Sequence, residues 1–482
     1  MSPPPERGGA IYSTFLLLVS LGILTAGGVA FMKASHTNPL SPAFLEQAPP
    51  QVSLVQPPLG IGADAVPLKI LVEDSGAGFD EVIVRISQRN QPKELLRKRY
   101  EGGAPVHSQV FDLAINGKEL GLREGNAELQ VLAFDRSLWS NGATVSKLLP
   151  VNFIKPHITV VTPQQNGVLG GSELVFYKIL GKQPKVQGVV SKNALFSGFP
   201  ASEWDPTFKS YDSLYVALFP IPPSFRPGSD SMQLIARDDI GNSTSAPFNY
   251  RIRQRKWSAF KVSLPEQGAK QLRDRLAAFA QRSGIPVQLG GDLSGDLRAL
   301  LRALHTFDET GIAESLRSPE AKRHWSGAFI KPVSATPSSS FGDMRTVVVG
   351  GSEVLKSQAS GVRMAVRSRT PVMAANAGKV AFAGELGELG LSVIIDHGFG
   401  LATVYGHLSE TSAAPGSVVA KNQPIGRTGT SGLALSEEVY FEVRLHGVPV
   451  SPNEWWDESW VTDHIDNKVA FVRTEVVGGA GE

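Results

Sequence analysis

Four short segments toward the C-terminal end alternate apolar and polar residues: 379–384 (KVAFAG), 391–396 (LSVIID), 401–407 (LATVYGH) and 439–445 (VYFEVRL). A period of two puts every second side chain on one face of a strand, whereas a helical face repeats every 3.6 residues. Gly387, Gly390, Gly398, Gly400, Pro415-Gly416 and Gly426 separate the segments. This pattern predicts a compact antiparallel sheet or barrel and excludes a helical bundle in this part of the chain.

The order of the pieces resembles the lysostaphin/LytM-type zinc endopeptidases, a family that cuts peptidoglycan cross-bridges. The residues that carry the resemblance are Phe341-Gly342-Asp343-Met344-Arg345, Thr370-Pro371-Val372, Ala374-Ala375-Asn376, Gly378-Lys379-Val380, Asp396-His397-Gly398-Phe399-Gly400, Tyr405-Gly406-His407-Leu408, Pro415-Gly416-Ser417-Val418-Val419, Ile425-Gly426 and Phe441-Glu442-Val443. It implies a LytM-type antiparallel, barrel-sandwich-like module over residues 331–460.

The resemblance also locates a fault in the chemistry. Active members hold zinc with the His and Asp of an H-x-G-x-D segment and the second His of an H-L-H. The His of Y-x-H and the first His of H-L-H act on water and the transition state. Here the matching ligand positions are Ala359, Arg363 and Tyr440, Glu438 stands for one catalytic His, and only His407 is kept. Catalytic zinc takes three protein ligands among imidazole, carboxylate and thiolate and leaves one position for water. An obligate cation at 363 repels a metal instead. The expectation is therefore a retained fold with no zinc cofactor and no hydrolysis. His407 and Glu438 are then what is left at the catalytic positions, and Arg363, Tyr440 and His407 line a binding groove. Arg363 is expected within about 4 Å of Glu438, with the Tyr440 hydroxyl on the same pair. The His407 ring is expected to bond Tyr440 or Glu438. His397 reads as a structural turn residue, His446 as an exposed turn residue and His464 as part of a polar tail.

Composition narrows the rest. The chain has 482 residues, 42% hydrophobic and 19% charged, with a net charge of +2. Such a field is too weak to recruit nucleic acid, and no nucleic-acid partner is expected. With no cysteine, disulfides and thiolate metal ligands are excluded.

From the start, residues 1–10 read as a polar cytoplasmic tail and 11–33 as a transmembrane anchor, because 11–32 (IYSTFLLLVSLGILTAGGVAFM) carry no charge. As a helix this run spans roughly 33 Å, enough to cross a bilayer core. A signal peptide cleaved after Gly28-Val29-Ala30 is the alternative. The anchor makes the protein a single-pass component of the cytoplasmic membrane with its bulk extracytoplasmic. Residues 34–58 read as a Pro-rich linker. Strand patterns over 59–155 and 156–258 predict two tandem immunoglobulin-like β-sandwiches. They share a repeat, LQVLAFD with Asn141-Gly142 and MQLIARD with Gly241-Asn242. Residues 259–330 form a helical connector, with helices over 266–282 and 294–307. Arg298 and Arg302 lie opposite the Leu297, Leu300, Leu301 and Leu304 face, and Asp292 or Ser294 caps the second helix. Residues 461–482 read as a tail.

The fold class is thus mostly β, and three functions stand. The first is a non-catalytic LytM-type module that binds peptidoglycan or regulates a wall hydrolase. The second is an active endopeptidase with a rewired ligand set. The third is a structural adaptor with a barrel-sandwich hybrid module.

Overall fold

Strands that bury one face or both assemble a mostly β protein. The computed structural model describes residues 45–478, so the tail and anchor expected at 1–33 lie outside the described residues. Among the described residues no helix is long and apolar enough to cross a membrane. Two compact units are distinct: the described part of Met1–Lys155 with Arg237–Ser243, and Pro156–Ala236 with the described part of Thr244–Glu482.

In the first unit a three-stranded sheet (Gln51–Gln56, Val66–Glu73, Ser108–Ile115) faces a four-stranded one ordered Gln91–Arg99, Phe79–Gln88, Gly125–Asp135, Gly142–Val151. Ala127, Leu129, Val131 and Ala133 alternate inward and meet Ile70, Val72 and Val84 in one core. Gln51–Gln56 is a strand, where a linker is predicted to run on to residue 58. The repeat has a structural counterpart. Asp135 accepts from Asn141 through both carboxylate oxygens, and Asp238 holds Asn242 in the same way. Each Asp-Asn clasp closes a turn that follows a strand.

The second unit departs from the beads-on-a-string reading. Ser172–Leu180 and Leu214–Pro220 are buried on both faces. Val175, Tyr177, Ala217 and Phe219 point into one core. Leu174, Phe176, Val216 and Leu218 join a second core with Phe399, Tyr405, Phe441 and Trp455 of the C-terminal module. The region expected as an independent sandwich over 156–258 therefore shares its hydrophobic centre with the module expected at 331–460. Residues expected as a tail are helical as well, and Val461, Ile465, Val469 and Val472 are buried in that same core.

Glu454 sits where these parts meet, partly buried, accepting the Ser172 N–H at 2.8 Å. Burial pushes its carboxyl up to about 8. The folded carboxyl keeps its proton as pH rises from about 4.5 to 8, while the unfolded chain releases it, so stability falls across that window. Glu454→Gln keeps the acceptor and cannot ionise. Above pH 8 the variant is expected to be more stable than the parent by roughly 2 kcal/mol, and equal to it below pH 4.5. Urea unfolding at the two pH values checks this.

The connector begins with a strand, Ala259–Leu264, which pairs parallel with Met344–Val349, itself antiparallel to Ser352–Gln358. The first connector helix, Glu266–Arg282, and the second, Leu293–Ser315, pack on that sheet through Leu272, Leu276, Leu297 and Leu304. The Asp292 carboxylate caps the second helix by accepting the Gly295 N–H at 2.7 Å. The C-terminal sheet runs Val362–Ala365, Glu438–Leu445, Leu401–Thr411, Leu391–Gly398, Gly378–Glu385, Val418–Val419. It matches the four alternating segments of the sequence to within a few residues.

Candidate functional site

Strand register brings the predicted residues together. Arg363 pairs with Tyr440 across one strand boundary, and Gly406 pairs with Tyr440 across the other. The period of two places Glu438, Tyr440 and Glu442 on one face of their strand. Arg363 Nη1 donates to Glu438 Oε1 at 2.7 Å, with side-chain exposures of only 17% and 11%. The expected approach of these two residues is present in the fold.

His407 lies next to this pair and is fully buried. Its Nδ1 is 2.9 Å from Glu438 Oε1, so the imidazole meets Glu438, one of the two partners expected for it. Its φ of 63° lies in the left-handed region that a β-carbon disfavours. The backbone is held there by the His407 N–H donating to the Leu389 carbonyl at 2.7 Å. Burial pushes the His407 ring down to about 4. Burial also raises the Glu438 carboxyl, but His407 and Arg363 outweigh it and hold the group below its ordinary range. Because the ring is neutral at pH 7, Arg363 is the charge that keeps Glu438 ionised.

Tyr440 does not join the pair. Its hydroxyl donates to Glu442 Oε2 at 2.7 Å, the neighbour two residues along the same face. Burial, with Glu442 second, drives its proton affinity well up, so the hydroxyl stays a donor. Arg444 Nε donates to Glu442 Oε1 at 2.6 Å, and its other nitrogens reach Glu309 on the second connector helix at 2.8 and 2.6 Å. Asp308 on that helix accepts three backbone N–H groups, from Gly387, Glu388 and Leu389. The helix thus fixes both the Tyr440 strand and the loop that positions His407.

The remaining histidines are structural. His397 is buried with Nδ1 2.7 Å from the Ala377 carbonyl and Nε2 2.8 Å from Thr403 Oγ1. His446 is not an exposed turn residue, since its Nε2 lies 2.9 Å from the Leu218 carbonyl and burial pushes the ring down to about 4. His464, placed in a tail by sequence, contacts the buried Glu173 carboxylate at 3.0 Å.

A groove of about 430 Å³ opens over Ala359, Arg363, His407 and Tyr440, walled by the second connector helix and the three-stranded sheet of Ala259–Leu264, Met344–Val349 and Ser352–Gln358. Arg345, in the F-G-D-M-R segment of the sequence but not singled out there as a site residue, lines it. Its position in a motif shared with the LytM-type family was the signal available. Ala359 contributes no donor atom, Arg363 is committed to Glu438, and Tyr440 is committed to Glu442. Among the described residues, three His, Asp or Glu ligand atoms come within 4.8 Å of one another at Glu46, Asp74 and Asp135, and not around His407. Those three carboxylates cap backbone amides such as those of Ala77, Gly78 and Ser137.

Residues 357–452 match Peptidase family M23. DD-carboxypeptidase/endopeptidase Mpg of Neisseria meningitidis serogroup B is 37% identical over 93 residues, 19% of this chain and 21% of that protein. Murein hydrolase activator EnvC of Escherichia coli is 37% identical over 86 residues, 18% of this chain and 20% of that protein. The chain thus spans about a fifth of the length of these curated relatives. The catalytic domain of lysostaphin from Staphylococcus simulans is 20% identical, covering 30% of this chain and 96% of that one with a TM-score of 0.20.

Proposed function

Residues 357–452 are a peptidase family M23, LytM-type, domain, and from that premise we propose that this chain is a membrane-anchored envelope protein whose M23 domain binds without cutting. It engages peptidoglycan, or regulates a wall hydrolase, through the groove beside Arg363. The observation that carries this reading is the Arg363–Glu438 ion pair. A guanidinium and its carboxylate take up two positions that active relatives give to metal and catalysis, and both are already satisfied by each other. Zinc does not fit this set, because Ala359, Arg363 and Tyr440 supply no imidazole, carboxylate or thiolate. His407 alone cannot replace it, since a neutral imidazole without a metal beside it has no activated water to deprotonate. The uncharged run at 11–32 supports the anchor. One relative is named a murein hydrolase activator, the regulatory role proposed here.

Co-sedimentation tests it. Full-length protein in mild detergent, mixed with purified sacculi, is expected to pellet with them and to release no soluble muropeptide. Muropeptide release overturns the non-cutting reading. Protein left in the supernatant, together with no wall hydrolase recovered by cross-linking, overturns the binding reading.

A further inference from the structure

The groove carries more cations than its own acids can balance. Arg298, Arg302, Arg345, Lys356 and Arg363 line it, while the one lining carboxylate, Glu388, is 3.3 Å from His305. Glu438 is 2.7 Å from Arg363 and forms its ion pair. Arg345 projects from the middle of the three-stranded sheet and is partly buried. Among the described residues its side chain has neither an ion pair nor a hydrogen bond. Burial, then repulsion from Arg363, pushes its proton affinity down to about 10, which still leaves it charged at neutral pH. A desolvated guanidinium without a carboxylate is a costly arrangement, and a fork of N–H donors is shaped to receive one bidentately. His407, fully buried, lines the same groove with its Nδ1 2.9 Å from Glu438 Oε1.

We infer that this groove is a carboxylate-binding site for a short extended peptide, with Arg345 as its anchoring cation and His407 as a neutral polar contact. The inference rests on the binding reading given above and names the chemistry of its ligand. The five lining cations call for an acidic ligand, and an open groove of about 430 Å³ accommodates a segment of a few residues. An adjoining cavity of about 180 Å³ shares Arg345 and Leu301 with the groove and is lined by Val262, Leu264, Leu272 and Val347. It takes an aliphatic side chain next to the carboxylate. The occupant is thus a free peptide end of the wall, acidic and followed by an apolar residue.

Fluorescently labelled acetyl-Ala-Glu-Leu with free carboxylates, and its fully amidated counterpart, are titrated onto full-length protein in detergent. The acid is expected to bind at least tenfold more tightly than the amide at low salt. Arg345→Met is expected to abolish that preference, and Arg345→Lys to keep part of it, because lysine retains the charge but not the fork. Arg302→Gln with Lys356→Gln, both on exposed positions that leave the core untouched, is expected to weaken the acid about threefold and to flatten its salt dependence. Equal affinity for acid and amide overturns the inference, and so does a preference that survives in Arg345→Met and in the double variant. Sacculi separate the two readings. Equal retention of parent and Arg345→Met leaves the wall reading standing and overturns the carboxylate site. Arg345-dependent peptide binding without sacculus retention supports the site and points to an acidic segment of a protein partner as its source.

Discussion

Glu438→Gln is expected to destabilise the M23 domain by about 3 kcal/mol, and Arg363→Met by about 2, while the double variant loses less than either sum predicts. The asymmetry follows from what each change leaves behind. Without Glu438, the Arg363 guanidinium loses its carboxylate and is left beside Arg345, whose proton affinity Arg363 already depresses. Without Arg363, Glu438 still feels Arg345 and has the His407 ring 2.9 Å away. Removing both charges removes the buried imbalance, so the pair is worth far less than its single-variant costs imply. Urea unfolding of the four proteins in a double-mutant cycle measures the coupling. Additive losses would show that the pair is solvated in practice and that the geometry at 2.7 Å carries little energy.

The second large effect concerns metal. Restoring Ala359→His, Arg363→Asp, Glu438→His and Tyr440→His together is expected to raise zinc affinity by at least about 1,000-fold, since an assembled three-ligand site contributes many kcal/mol. Wall-cutting activity is expected to lag by roughly 10–100-fold behind an active relative, because residues around the ligands were selected for other partners. Glu442 is one of them. It now accepts the Tyr440 hydroxyl and is raised by burial, with Arg444 drawing it back. Losing the tyrosine leaves it leaning on Arg444 alone. Competition with a fluorescent chelator reads the affinity, and muropeptide release reads the activity.

The C-terminal sheet was legible because one face of each strand is apolar and glycines mark the turns, so period and punctuation agreed. The ion pair was legible for a different reason. An arginine in the ligand frame of a β-module needs a carboxylate, and Glu438 is the acid that register brings to it. What escaped notice follows from physics that alternation does not report. Leu214–Pro220 (LYVALFP) is apolar throughout, and an unbroken apolar run signals burial on both faces. That is how the second β region comes to share a core with the M23 domain. Gln91–Arg99 (QPKELLRKR) is an edge strand whose charged side chains face water, and composition alone reads it as loop. In the segment expected as a tail, Val461, Val469 and Val472 are spaced valines that tertiary contact turns into one side of a packed helical stretch. Tyr440 is flanked on its strand face by two acids, and it bonds Glu442 because Glu438 is already held by Arg363. His446 looked exposed since it precedes a glycine turn, yet the turn is docked on the neighbouring strand at Leu218.

Zinc content is the measurement closest to the central claim. Full-length protein, purified without chelator and dialysed mildly, is analysed for metal by mass spectrometry and incubated with sacculi in parallel. A non-cutting M23 domain whose ligand positions hold an ion pair is expected to carry less than about 0.1 zinc per chain and to release no muropeptide. About one zinc per chain retained through dialysis would contradict it, and so would muropeptide release that a His407→Ala variant abolishes.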